Sequence, residues 1–271
     1  MSITASVKQK NNVHVTGNES AAQTIIFGHG FGSDQTAFAP IVKAFAADYK
    51  IVLYDNVGGG KADIDAFNPS RYSTMQGYVT DLSDIIRALQ LSDVIYVGHS
   101  VSGMIGLLTA NKYPEYFSKL ILLGSSPRYL NDIATGYTGG FDMETLNSLY
   151  SAMSTNYYAW ASGFSALVMS NPDQPHLAEA FAATLSAIRP DIALSVAKAI
   201  FEMDHRQDLA LCTIPSLVVQ TSDDVAVPGV VGEYLQQHIP DSQQVNVQAT
   251  GHFPHIVAPE EVIRAIRSFI Q

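Results

Sequence analysis

The sequence predicts an α/β fold, a mostly parallel sheet with helices on both faces and a four-helix lid inserted after a strand at residues 119–123. Three observations carry this. Short, nearly continuous apolar runs such as Thr24-Ile25-Ile26-Phe27 and Ile51-Val52-Leu53-Tyr54 alternate with segments of helical period, as expected of strands buried on both faces. One run, Ile95-Tyr96-Val97, leads through Gly98-His99-Ser100 into small and apolar residues suited to a helix. Between about 128 and 204 the strand signals stop, and they resume at 216.

In chain order, strands are expected at 13–16 and 24–27, the second running into the loop Gly28-His29-Gly30-Phe31-Gly32. A helix at 37–45 and a strand at 50–54 follow. Residues 74–89 carry Tyr78, Leu82, Ile85, Ile86 and Leu89 at helical spacing, with Ser73 available as a cap. A strand at 93–97, a helix to about 111 and the strand at 119–123 complete the first part. Helical segments at 142–154, 157–168, 176–187 and 190–201 form the insert. A strand at 216–220, a helix at 229–238, a strand at 244–248 and a helix at 259–270 finish the chain. The expected division is therefore core 1–127, lid 128–204 and core 205–271, without repeats or low-complexity tracts.

The chain has 271 residues, 47% of them apolar, and a formal net charge of −10. That charge argues against nucleic acid or an anionic membrane as partner, since both attract clustered Lys and Arg. No stretch approaches the roughly 20 apolar residues of a membrane span, and residues 1–18 lack the apolar centre of a secretory signal, so a cytoplasmic protein is expected. The single cysteine, Cys212, lacks the spaced partners of a zinc site and is expected to be a small buried hydrophobe.

The stretch around Ser100 has the form of a nucleophile elbow, a sharp strand-to-helix turn that exposes a serine hydroxyl. Such a serine needs a base, and the base an orienting carboxylate. Both follow in the required chain order: Asp223-Asp224 after one strand and Gly251-His252 after the next, all at one edge of the expected sheet. Asp224 is preferred to Asp223 on spacing, and His252 to His255 because it sits nearer the strand end. Ser102 stands where the common elbow has glycine. The backbone N–H groups of Phe31 and Val101 are the candidate oxyanion donors. His99 is expected to flank the pocket. The glycines at 28, 30 and 32 do not match a dinucleotide fingerprint, and Gly58-Gly59-Gly60-Lys61 is followed by Ala62 where a phosphate loop needs Ser or Thr, so no cofactor or metal is expected.

These motifs carry a resemblance to the RsbQ-like α/β-hydrolases, which include a bacterial stress regulator and the plant strigolactone and karrikin receptors. The likeness spans nearly the whole chain and rests on His29-Gly30-Phe31-Gly32 with Asp34-Gln35, Tyr54-Asp55-Asn56, Gly98-His99-Ser100-Val101-Ser102, Pro127-Arg128-Tyr129-Leu130-Asn131-Asp132, Gly139-Gly140-Phe141 and the segment from Arg189 to Ser195. It implies the α/β-hydrolase fold, Ser100, Asp224 and His252 as catalytic residues, and a pocket lined by Phe31, Tyr129, Leu149, Trp160, Phe164, Ile200, Phe201, Val225 and Ala226. It also implies a small apolar ester or butenolide-type lactone as ligand, and a protein signalling partner at the lid. Between Asp132 and Gly139 the chain runs about two residues longer than the karrikin-receptor pattern.

Overall fold

Seven strands pair into one sheet: β1 (His14–Gly17), β2 (Thr24–Gly28), β3 (Lys50–Tyr54), β4 (Val94–His99), β5 (Phe117–Leu123), β6 (Ser216–Asp223) and β7 (Ser242–Thr250). The structure is a computed structural model that describes residues 3–271, so the first two residues of the 1–127 segment lie outside it. Across the sheet the order is β1-β3-β2-β4-β5-β6-β7. Only β1, at the edge, runs antiparallel to its neighbour; the other pairs are parallel. Alternation along the strands splits the core in two. Ile26, Val52, Tyr96, Leu122 and Val218 enter one apolar cluster, while Ile25, Ile51, Val97, Ile121 and Val219 enter the cluster on the opposite face.

Helices cover both faces: α1 (Ile3–Lys10), the single turn α2 (Ala39–Val42), α3 (Gln76–Ala88), α4 (Val101–Lys112), α5 (Met143–Thr155), α6 (Tyr157–Met169), α7 (Pro175–Ser186), α8 (Pro190–Phe201), α9 (Gly229–His238), the turn α10 (Pro254–Val257) and α11 (Pro259–Ile270). Every residue of α4 from Val101 to Ala110 is buried, so the helix is enclosed on all sides, with the Thr109 hydroxyl bonded back to the Ile105 carbonyl. In α11, by contrast, Val262, Ile266 and Ile270 form a single buried stripe at four-residue spacing against the second cluster. Among the described residues, no single helix is long and apolar enough to cross a membrane.

Helices α5–α8 stand between β5 and β6, where strand signals vanish from the sequence. Asp142 caps α5 by accepting the Thr145 N–H at 2.7 Å, and Asn156 caps α6 through the Ala159 N–H at 3.2 Å. Prolines occupy the first turns of α7 and α8, where the missing N–H has no intrahelical partner to lose. Before α5, the stretch from Asp132 to Gly139 folds back through a bridge between Asp132 and Tyr137. Arg206 fastens it, donating to Asp132 at 2.8 Å and to Thr135 at 3.0 Å.

Two local readings change, and one element, α1, has no counterpart in the sequence reading. Helix α1 has no strong apolar period; it is held by tertiary bonds instead, with Thr4 donating to the Ala88 carbonyl at 3.2 Å and Lys10 to Asp81 at 2.8 Å. Ser73 is not the cap of α3, because its hydroxyl turns back to the Ser70 carbonyl and Met75 holds the cap position. The expected helix at 37–45 is a 3-10 turn, Gln35–Phe38, capped by Asp34, followed by α2.

Candidate active site

β4 ends at His99, and α4 begins at Val101, leaving one residue to turn the chain. Ser100 takes φ 55° and ψ −125°, a region that L side chains avoid and that costs of order 1–3 kcal/mol. The turn is tight enough that Gly98 has no room for a side chain: a Cβ there would lie 2.6 Å from the Gly103 nitrogen. Ser102 does fit, and it serves a purpose. Its hydroxyl donates to the His29 carbonyl at 2.6 Å and accepts from the Asn56 amide at 3.1 Å, tying the elbow to the loop after β2.

β6 and β7 bring the other two groups to the same edge. His252 Nε2 is 2.9 Å from Ser100 Oγ, and its Nδ1 is 2.8 Å from Asp224 Oδ2. A carboxylate can only accept, so Nδ1 carries the proton and Nε2 is left to accept from the serine hydroxyl. The second carboxylate oxygen of Asp224 accepts the N–H groups of Ala226 at 2.8 Å and Val227 at 3.1 Å, which fixes its plane. All three side chains are buried.

The alternatives separate cleanly. Asp223 is the last residue of β6 and is exposed, whereas Asp224, the first residue past the strand end, is buried. His255 lies fully buried on α10 with its ring stacked 4.7 Å from Phe38, and neither ring nitrogen has a partner. Burial, with His252 nearby, pushes it down to about 3. His99 lines the pocket, and its Nε2–H donates to the His252 carbonyl at 2.8 Å. Burial first, then His255 and His252, hold His99 well below the ordinary histidine value.

Val101 opens α4, so its N–H has no partner within the helix. The loop carrying Phe31 approaches closely: a Cβ on Gly30 would meet Ser100 Cβ at 3.0 Å. Asn56 braces this loop, its N–H donating to His29 Nε2 and its side-chain amide to the His29 carbonyl, both at 2.9 Å.

Above Ser100 lies a small, largely apolar cavity. The expected residues Phe31, His99, Tyr129, Phe164, Ile200, Phe201 and Ala226 line it. Leu149, Trp160 and Val225 do not: Trp160 stacks on Phe164 at 5.1 Å, Leu149 packs against the core, and Val225 is 43% exposed. Val168, Phe181 and Phe253 line it without having been expected. Val168 was within reach of the sequence, since it follows Phe164 by one helical turn. Tyr129 Oη stands 3.2 Å from Ser100 Oγ, and burial raises its phenol well above the ordinary value. Among the described residues no cluster of three His, Cys, Asp or Glu could hold a metal ion.

A strained serine at a strand-to-helix turn, with a histidine and an aspartate from later parallel strands, defines an α/β-hydrolase. The chain belongs to the alpha/beta hydrolase fold family, whose profile matches residues 23–259. Within that family it is 44% identical to a probable esterase of Oryza sativa subsp. japonica, over 98% of this chain and 97% of the relative. It is 43% identical to karrikin insensitive 2 receptor CA of Petunia hybrida, over 95% of this chain and 94% of the other. Strigolactone esterase RMS3 of Pisum sativum is 41% identical, over 92% of each chain. Among solved structures, a hydrolase from Oleispira antarctica superposes with a TM-score of 0.94 at 30% identity, covering 99% of this chain and 97% of its own.

Proposed function

We propose that the protein is a serine hydrolase that cleaves a small hydrophobic ester or butenolide-type lactone through an acyl-enzyme. The observation that carries this is the run of hydrogen bonds from Ser100 Oγ through His252 to Asp224, at 2.9 and 2.8 Å. Ser100 Oγ attacks the carbonyl carbon while His252 Nε2 takes its proton. The carbonyl oxygen becomes an oxyanion held by the N–H groups of Phe31 and Val101, each donor contributing roughly 3–4 kcal/mol. Asp224 stabilises the imidazolium. As the tetrahedral intermediate collapses, the ester C–O bond breaks and His252 returns the proton to the departing oxygen. Water, deprotonated by the same imidazole, then releases the acid and restores Ser100.

The ligand class follows from the cavity, whose walls are apolar apart from Ser100, His99, His252 and the Tyr129 hydroxyl. An uncharged, compact carbonyl compound suits it. The named activities of the rice and pea relatives support an ester substrate. A cytoplasmic setting goes with this reading, as does an apo-scaffold that needs no disulfide: Cys212 is buried and free.

A second reading is a hydrolase-derived receptor, in which slow hydrolysis serves ligand sensing. Two facts favour keeping it: a relative covering nearly the whole chain bears the name of a karrikin receptor, and residues 128–204, read as a lid, supply Tyr129, Phe164, Val168, Phe181, Ile200 and Phe201 to the cavity. A ligand there touches the insert directly, which is how a protein partner at the lid could sense occupancy. Turnover of p-nitrophenyl acetate by the parent and by Ser100→Ala tests the first reading, with intact-protein mass spectrometry for a Ser100-dependent adduct. Equal turnover in the two proteins would sink it. A ligand-induced fall in melting temperature that requires Ser100 is the expected sign of the receptor.

A further inference from the structure

Helix α6 ends without a glycine. Ser170 takes the left-handed cap position at φ 51°, and its hydroxyl donates to the Leu167 carbonyl at 2.5 Å. The carbonyls of a last helical turn have no donors within their own helix and must find them elsewhere. For Val168 the donor is the His252 backbone N–H at 2.8 Å, and for Met169 it is Asn171 Nδ2 at 2.6 Å. The same Asn171 amide donates to the Thr250 carbonyl at 2.9 Å. One NH₂ group thus joins the end of α6 to the turn that carries His252. An asparagine bonded to a carbonyl two residues back is ordinary loop geometry. The bond to Thr250, 79 residues away in the chain, is what ties two elements together.

We propose that, with Ser100 as nucleophile and His252 as its base, Asn171 is a positioning residue for His252: it holds the base-carrying turn against the end of α6, so that the insert as well as the sheet sets where the imidazole sits. From the sheet side the turn is held at Gly251, whose N–H donates to the Asp223 carbonyl at 2.7 Å and whose carbonyl accepts the Thr221 hydroxyl at 2.8 Å. From the insert side it is held by Val168 and Asn171. The two segments meet backbone to backbone, since a Cβ on Gly251, at φ 103°, would lie 2.2 Å from the Met169 carbonyl oxygen. Without the Asn171 amide, two carbonyls lose their donor and the turn relaxes away from α6. A base so displaced is out of line with Ser100 Oγ, and a misplacement of about 1 Å can cost a factor of about 10² in rate. Asn171 does not line the cavity, so its loss leaves the ligand's contacts in place. A shift of α6 carries Val168 and Met169 together, and the imidazole feels it.

The test uses Asn171→Asp, which keeps the shape but can only accept when ionised, and Asn171→Ala. With p-nitrophenyl acetate, kcat should fall about tenfold in both while KM stays within about twofold of the parent. Hydrogen exchange followed by NMR should show the His252 amide exchanging about tenfold faster, because its bond to Val168 opens more often. Asn171→Asp carries the comparison if the smaller residue does not fold. Unchanged kcat in a folded variant overturns the proposal. So does a loss carried by KM, or a fall in kcat with the His252 amide exchanging as in the parent. Ser100→Ala is run alongside: parent-like turnover there means that the serine mechanism fails, while exchange at the His252 amide still reports on Asn171.

Discussion

The backbone N–H of His252 donates to the carbonyl of Val168 in α6 at 2.8 Å. On its other side, the His252 carbonyl accepts from His99 Nε2 at the same distance. The residue read as the base is thus held through its main chain by the helical insert on one side and by the residue before the nucleophile on the other. Its side chain is aimed by Asp224, and its backbone by Val168 and His99.

His99 should therefore act as a positioning residue. In His99→Leu the His252 carbonyl loses a buried partner, a penalty of about 1–3 kcal/mol. Esterase kcat is expected to fall about tenfold, equivalent to about 1.4 kcal/mol of barrier, with little change in KM. His99→Gln, whose amide can still donate, should recover part of the loss; a purely steric role would give no such rescue.

Asp224→Asn and Asp223→Asn make a matched pair. The first leaves the imidazole in the wrong tautomer and should lower kcat by on the order of 10³–10⁴-fold. Asp223 is exposed and bears on the site only through its carbonyl, which accepts the Gly251 N–H at 2.7 Å, so its variant should stay within about twofold of the parent. Steady-state kinetics on the two proteins decide.

The strain at Ser100 should be recoverable as stability. Glycine adopts φ 55° and ψ −125° without the Cβ penalty, so Ser100→Gly is expected to be inactive but more stable by on the order of 1 kcal/mol. Calorimetry should show a melting temperature raised by about 2–4 °C.

Acid should destabilise the fold through two buried histidines. His255 is pushed down to about 3 and His99 lies well below its ordinary value, so both are neutral when folded, while in the unfolded chain they take up protons below about 6.5. The unfolded state then binds more protons, and stability, fully present above that pH, declines as pH falls toward 3. Each histidine contributes a slope of up to about 1.4 kcal/mol per pH unit. His255→Phe, which keeps the stacking on Phe38, should flatten the acid limb of a melting-temperature profile measured from pH 8 to 4.

The middle of the sheet was legible because β2 and β4 are buried on both faces, and runs such as Ile25-Ile26-Phe27 leave few other readings. The serine, aspartate and histidine were legible because chain order and strand ends constrain them together. The cavity wall was harder. Which face of α6 looks inward depends on how it docks, not on its composition; Phe164 and Val168 face the cavity while Trp160, a turn earlier, stacks outside it. Helix α1 escaped notice for a related reason, since what holds it, through Thr4 and Lys10, lies more than 70 residues away in the chain.

β5 lies between β4 and β6, so the serine and the aspartate spring from strands two places apart. Strands are spaced about 4.8 Å, and a gap of about 10 Å has to be spanned. β5 itself sends nothing into that gap: the chain leaves it through Gly124, at φ 55°, where a Cβ would sit 3.5 Å from His252 Nδ1 and 3.6 Å from Asp224 Oδ2. The imidazole of His252 bridges that gap, its Nε2 2.9 Å from Ser100 Oγ and its Nδ1 2.8 Å from Asp224 Oδ2. A shorter or longer side chain at position 252 would reach both ends only if the turns carrying Ser100 and Asp224 moved with it.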